Sequence, residues 1–137
     1  MTDYFSLSLS RREVDAISNL GLAHMGDGVY ELLCRAYLCA QGDKTARRLH
    51  DDSVSLVKAP AQARFAQAIL PLLNEEEADF LRRGKNTHTH AAPKSATAQE
   101  YALTTGLETL FGALFLLGRT RRLNELFAAG MEAGHGV

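Results

Sequence analysis

No apolar run in this sequence approaches the roughly 20 residues that cross a bilayer, which argues against a spanning helix. No stretch alternates apolar and polar residues as a half-buried strand does, which argues against a β fold. The opening Met1-Thr2-Asp3-Tyr4-Phe5 lacks the basic and apolar regions of a secretory signal, so the expected location is cytoplasmic, with no membrane partner. Cysteine is scarce: Cys34 and Cys39 lie five positions apart in a helical pattern, turned away from each other. That spacing disfavours a disulfide or a zinc pair, and both are expected to be small buried fillers. There is no internal repeat and no length for a second module. The 137 residues predict one domain, 1–137, with a tail fraying from about 134. The formal net charge of −1 neither favours nor disfavours a polyanionic partner, so charge distribution has to decide that point.

What is present is helical periodicity almost throughout, which predicts an all-α fold. Ser10 with Glu13 three positions later is a capping box that starts a short helix. Apolar residues Leu22, Met25, Val29, Leu32, Leu33 and Ala36 then recur at helical spacing, predicting a helix over 20–39. A third helix is expected over 46–58 and, beyond Pro60, a fourth over 61–73 that Pro71 kinks or ends. Asn74 before Glu75-Glu76-Glu77 caps a fifth, closing at Gly84. A loop over 85–95 leads to an apolar helix over 101–117 and a last one over 119–133.

Two carboxylates stand out on this framework. Asp27 lies between Gly26 and Gly28, and Glu108 is the one charge in the apolar run 107–117. A carboxylate in apolar surroundings is costly unless paired, hydrogen-bonded or metal-bound. Glycines inside a helix cost roughly 1 kcal/mol each against alanine, and close approach of a backbone or ligand is the usual reason to keep them. Thr104, Thr105, Glu108 and Gly112 form a small, polar stripe. If the two glycine-marked stripes pack together, Asp27 and Glu108 face each other and suit one shared cation. Oxygen donors alone favour Mg²⁺ or Mn²⁺. The competing reading is structural, an acid that caps another helix or pairs with an arginine.

The segment Leu22-Ala23-His24-Met25-Gly26-Asp27-Gly28-Val29-Tyr30-Glu31-Leu32 resembles the Gly-Asp-Ala-Val signature of ribonuclease III domains. Thr105-Gly106-Leu107-Glu108-Thr109-Leu110-Phe111-Gly112 resembles their second catalytic helix. With Arg82-Arg83-Gly84-Lys85-Asn86 and Pro93-Lys94-Ser95-Ala96, the likeness is to the short bacterial Mini-ribonuclease III branch, which lacks a double-stranded-RNA-binding domain. Full-length members carry acids where this chain has Ala23 and Thr105, and the short branch shares both losses. His24 and Gly28 stand where Tyr and Ala are usual.

The resemblance implies a homodimeric endoribonuclease of the ribonuclease III helical fold, maturing precursor large-subunit (23S) ribosomal RNA. Asp27 and Glu108 would be its catalytic and metal-binding residues, with Mg²⁺ as cofactor and Mn²⁺ as the substitute. Attack of an activated water would leave a 3′-hydroxyl. Glu31 is a candidate to orient a metal water, with pairing to Arg35 as its competitor. RNA contacts are expected from Arg82, Arg83, Lys85, Asn86 and Lys94, because 80–95 holds four basic residues and no acid. Two further basic clusters are Lys44, Arg47 and Arg48, and Arg119, Arg121 and Arg122. A ribosomal protein is a further candidate partner. Two rivals stand beside this reading: a non-catalytic RNA-binding or ribosome-associated protein of the same fold, and a helical interaction module with structural acids.

Overall fold

The computed structural model describes residues 1–87 and 96–134, so Lys94 and the end of the tail lie outside the described residues. The architecture is all-α, with no strand among the described residues. The helices are α1 (Arg11–Asp15), α2 (Asn19–Ala40), α3 (Ala46–Val57), α4 (Ala59–Ile69), α5 (Glu75–Lys85), α6 (Ala98–Leu116) and α7 (Thr120–Gly134). Short 3-10 turns cover Tyr4–Ser6 and Leu70–Leu72.

Capping chemistry sets most of the helix starts. Ser10 with Glu13, Asn74 with Glu77 and Thr97 with Glu100 each close a reciprocal capping box. The fourth helix differs from the sequence expectation. It starts at Ala59 and ends at Ile69, because Pro60 fits the first turn, where its missing N–H leaves no bond unmade. Pro71 then falls in the 3-10 turn beyond the helix end.

The centre of the molecule is α6, buried on nearly every side and packed against α2, α4, α5 and α7. Around it the rings of Tyr30, Phe65, Phe111 and Phe127 form one cluster, with Tyr30 meeting Phe65 edge-on at 5.2 Å between centroids. The Tyr30 hydroxyl donates to the Leu56 carbonyl at 3.3 Å, which holds α3 onto this core. Cys34 is buried, as expected, but Cys39 is exposed: Cys34 and Leu38, four apart, share the buried face of α2, and Cys39 is turned off it.

The crossing of α2 on α6 positions the site. A Cβ at Gly26 would overlap the Glu108 carbonyl oxygen, and one at Gly112 would overlap the Leu22 carbonyl oxygen. The two glycines therefore let the helix backbones touch. Gly28 is different, with nothing within 4 Å of where its Cβ would be. On the other side of α6, a Cβ at Gly84 of α5 would overlap Thr109. Gly26 thus abuts Glu108 itself, while the Gly84 contact falls on the next residue, Thr109.

Candidate active site

Direct backbone contact between Gly26 and Glu108 leaves their side-chain neighbours adjacent. The structure brings the Asp27 and Glu108 carboxyl groups within hydrogen-bonding reach of each other. Asp27 is exposed and Glu108 partly buried. Burial, reinforced by the Asp27 charge and the hydrogen bond between the two groups, pushes the Glu108 pKa up to about 8. Glu108 therefore holds a proton at neutral pH when nothing else neutralises the pair. Among the described residues no group of three or more His, Cys, Asp and Glu side chains is arranged to hold a metal, so this is a two-carboxylate arrangement. Ala23 and Thr105 are both buried. The Thr105 hydroxyl donates to its own helix at the Tyr101 carbonyl.

Glu31, one turn beyond Asp27, is paired with Arg35 at 2.9 Å. His24 is exposed. The basic residues of α5 lie in its last turn, where positive charge suits the helix C-terminus. Arg82 pairs with Asp79 at 2.7 Å, an exposed contact of little energetic weight. Lys85 is exposed, and Asn86 caps the helix through an N–H bond to the Arg82 carbonyl at 2.9 Å. Arg83 is more tightly held: it bonds Asp15 and Asn19, which sequence spacing did not single out. Only a sequence separation of more than sixty residues, closed by the fold, joins them. In the second basic cluster, Lys44 and Arg48 both pair with Asp52. In the third, Arg119 bonds Glu76 and Arg122 bonds Glu77.

An all-α fold with two facing carboxylates on glycine-crossed helices defines a class that comparison with known proteins identifies. The ribonuclease III domain matches residues 20–119. A Mini-ribonuclease 3 from Clostridium tetani is 37% identical over 92% of this chain and 85% of its own length. One from Symbiobacterium thermophilum is 42% identical over 82% of this chain and 87% of its own. A crystal structure of a Fusobacterium nucleatum protein superposes with a TM-score of 0.78 at 29% identity, covering 88% of this chain and 96% of that one. The chain belongs to the ribonuclease III domain family, in the branch of the Mini-ribonuclease 3 proteins, and is an endoribonuclease of that type.

Proposed function

We propose that the chain hydrolyses double-stranded RNA with a divalent cation held by Asp27 and Glu108, and that it acts as a homodimer on precursor large-subunit (23S) ribosomal RNA. The observation that carries this reading is the contact between the two carboxyl groups, one of them carrying a proton that a cation would replace. The donor set fits the group: oxygen ligands alone, few in number, suit Mg²⁺, with Mn²⁺ as a substitute. When bound, the ion supplies charge neutralisation at the phosphate and acidifies a water for attack.

The chain's own residues do the positioning. Exposed Asp27 is the carboxylate open to substrate, while Glu108 is fixed by the α2–α6 crossing. Arg82, Arg83, Lys85 and Asn86 at the end of α5, with Lys94 beyond it, offer the backbone of the duplex positive charge and donors. Such contacts suit A-form RNA, which is recognised by shape, phosphates and 2′-hydroxyls.

A second copy of the chain fits the outer face of α2. There Met25, Gly28, Val29 and Leu32 join Tyr4, Phe5, Leu7 and Phe115 around an apolar groove of about 280 Å³. Phe5 is 76% exposed and Leu32 52%, an apolar patch that a two-fold partner would cover. Two sites in one dimer would cut both strands.

The test incubates the purified protein with structured duplex RNA and Mg²⁺, with and without EDTA, beside Asp27→Asn and Glu108→Gln. Expected is cleavage that stops in EDTA and in both variants while duplex binding persists. Cleavage that survives EDTA, or either substitution at an unchanged rate, overturns the assignment.

A further inference from the structure

The Arg83 guanidinium is held on three sides. Its Nε and Nη2 both donate to Asn19 Oδ1, at 3.2 and 3.1 Å, and its Nη1 donates to Asp15 Oδ1 at 3.2 Å. It also lies over the Phe80 ring, 5.3 Å from the centroid. Asp15 Oδ1 accepts a second bond, from Arg11 Nε at 3.0 Å. A guanidinium can only donate, so Asn19 must turn its amide oxygen towards Arg83 and its NH₂ away. Among the described residues that NH₂ meets no acceptor and Asp15 Oδ2 meets no donor. Of the five N–H groups on Arg83, two remain unused. The cluster is open to solvent, with the Arg83 side chain 28% exposed and that of Asp15 43%.

This cluster lies about two turns of α2 from Asp27 of the carboxylate pair. Asn19, Ala23 and Asp27 stand four apart on α2 and form one stripe, so Asn19 lies about 12 Å along the helix from Asp27. The Thr109 hydroxyl, next to Glu108, reaches the Asn19 carbonyl at 3.5 Å.

We propose that Asn19, held by Arg83 and Asp15, reads a ribose 2′-hydroxyl of the duplex and so selects RNA over DNA. The inference rests on the reading of double-stranded RNA as substrate. A 2′-hydroxyl both donates and accepts, matching the free Asn19 and Arg83 N–H groups and the free Asp15 oxygen in one place. A phosphate only accepts, and the Asp15 carboxylate opposes it. The wide, shallow minor groove of A-form RNA displays these hydroxyls within reach of side chains on a protein surface.

The test measures kcat and KM with Mg²⁺ on a set of duplexes, each carrying one 2′-deoxy nucleotide, for the wild type, Asn19→Ala and Asn19→Asp. Aspartate keeps an oxygen for Arg83 and removes the NH₂. One lost hydrogen bond is worth about fivefold, so the wild type loses about fivefold in kcat/KM, carried by KM, at one fixed offset from the cut. In Asn19→Ala, which offers neither donor nor acceptor, that position no longer matters; Asn19→Asp keeps the bond to Arg83, and its melting temperature shows how much of any general loss comes from that bond. A flat profile on a duplex that the wild type does cut removes this inference alone. So does an Asn19→Ala variant that retains the dip, whether or not it melts early and slows on every duplex. If the unmodified duplex is not cut at all, the nuclease reading fails and this inference falls with it.

Discussion

Glu108 meets Asp27 because Gly26 lets the Glu108 carbonyl rest against the backbone of α2, placing the two acidic side chains at the same crossing. The closeness of two helices is thus converted into a proton-binding pair. Burial and the Asp27 charge together push Glu108 up to about 8 from an ordinary 4.5. A cation arriving at the pair must displace that proton, so metal binding and proton release are linked.

Stability without metal should therefore fall as pH rises. Between 4.5 and about 8 the folded chain keeps a proton on Glu108 that the unfolded chain has released, so the folding advantage is full below 4.5 and gone above about 8. Glu108→Gln cannot ionise and does not share the loss. Denaturant unfolding in EDTA from pH 5 to 9 should show the variant gaining on the wild type up to about pH 8 and levelling there. Parallel curves would show that Glu108 titrates normally. In Mg²⁺, cleavage should rise with pH across the same range.

The helical order was legible in the sequence because capping boxes and periodicity are local. Ser10 with Glu13 and Asn74 with Glu77 fix their helix starts as written. α6 starts at Ala98, three residues before the apolar periodicity begins, because Thr97 and Glu100 form the same box. The Asp27–Glu108 contact was legible too, through the glycines beside each. Arg83 was legible only as a charge. Its engagement with Asn19 and Asp15 depends on how α5 docks against the α1–α2 junction, and no local pattern encodes that. Cys39 is exposed for a local reason, because the buried stripe of α2 runs through Cys34 and Leu38 and Cys39 lies off it.

Arg122 and Glu77 tie the start of α7 to the start of α5. Glu77 is 1% exposed, and Arg122 grips it through Nε at 2.8 Å and Nη2 at 2.9 Å. Burial acts to raise the Glu77 pKa, but the bonds from Arg122 and the Asn74 backbone outweigh it and hold the carboxyl below its ordinary value. Arg122→Ala leaves a buried carboxylate unpaired, at a cost of roughly 3 kcal/mol near neutral pH. The pair stabilises above the ordinary carboxylate range and loses its effect as pH falls through the lowered value, so wild type and variant should converge on acidification. Thermal melts at pH 7 and pH 3 test this. An equal gap at both values would assign the loss to packing.

Lys85 is exposed at the end of α5, without an acidic partner among the described residues. If it contacts a phosphate, Lys85→Ala weakens duplex binding at every sequence and lowers the salt-dependence slope by about 1. Arg83→Ala should behave differently, because it also unties Asp15 and Asn19 and so lowers the melting temperature. Titrations of a duplex at several salt concentrations separate the two. An unchanged slope for Lys85→Ala would remove it from the RNA surface.

The three glycines around the site make opposite predictions for one substitution. Gly26→Ala and Gly112→Ala each push a Cβ into a backbone carbonyl, of Glu108 and Leu22 respectively, and backbone cannot swing aside as a flexible side chain does. Each should cost roughly 1–3 kcal/mol or more and pry α2 from α6. Separation of the helices also parts Asp27 from Glu108, so the raised Glu108 pKa should return towards 4.5 and the pH dependence of stability should flatten. Gly28→Ala meets nothing within 4 Å and gains helix propensity, so it should stabilise the monomer by up to about 1 kcal/mol. Chemical denaturation of the three variants at low protein concentration ranks them. Gly28→Ala falling with the other two would mean that a second copy already presses on that face of α2.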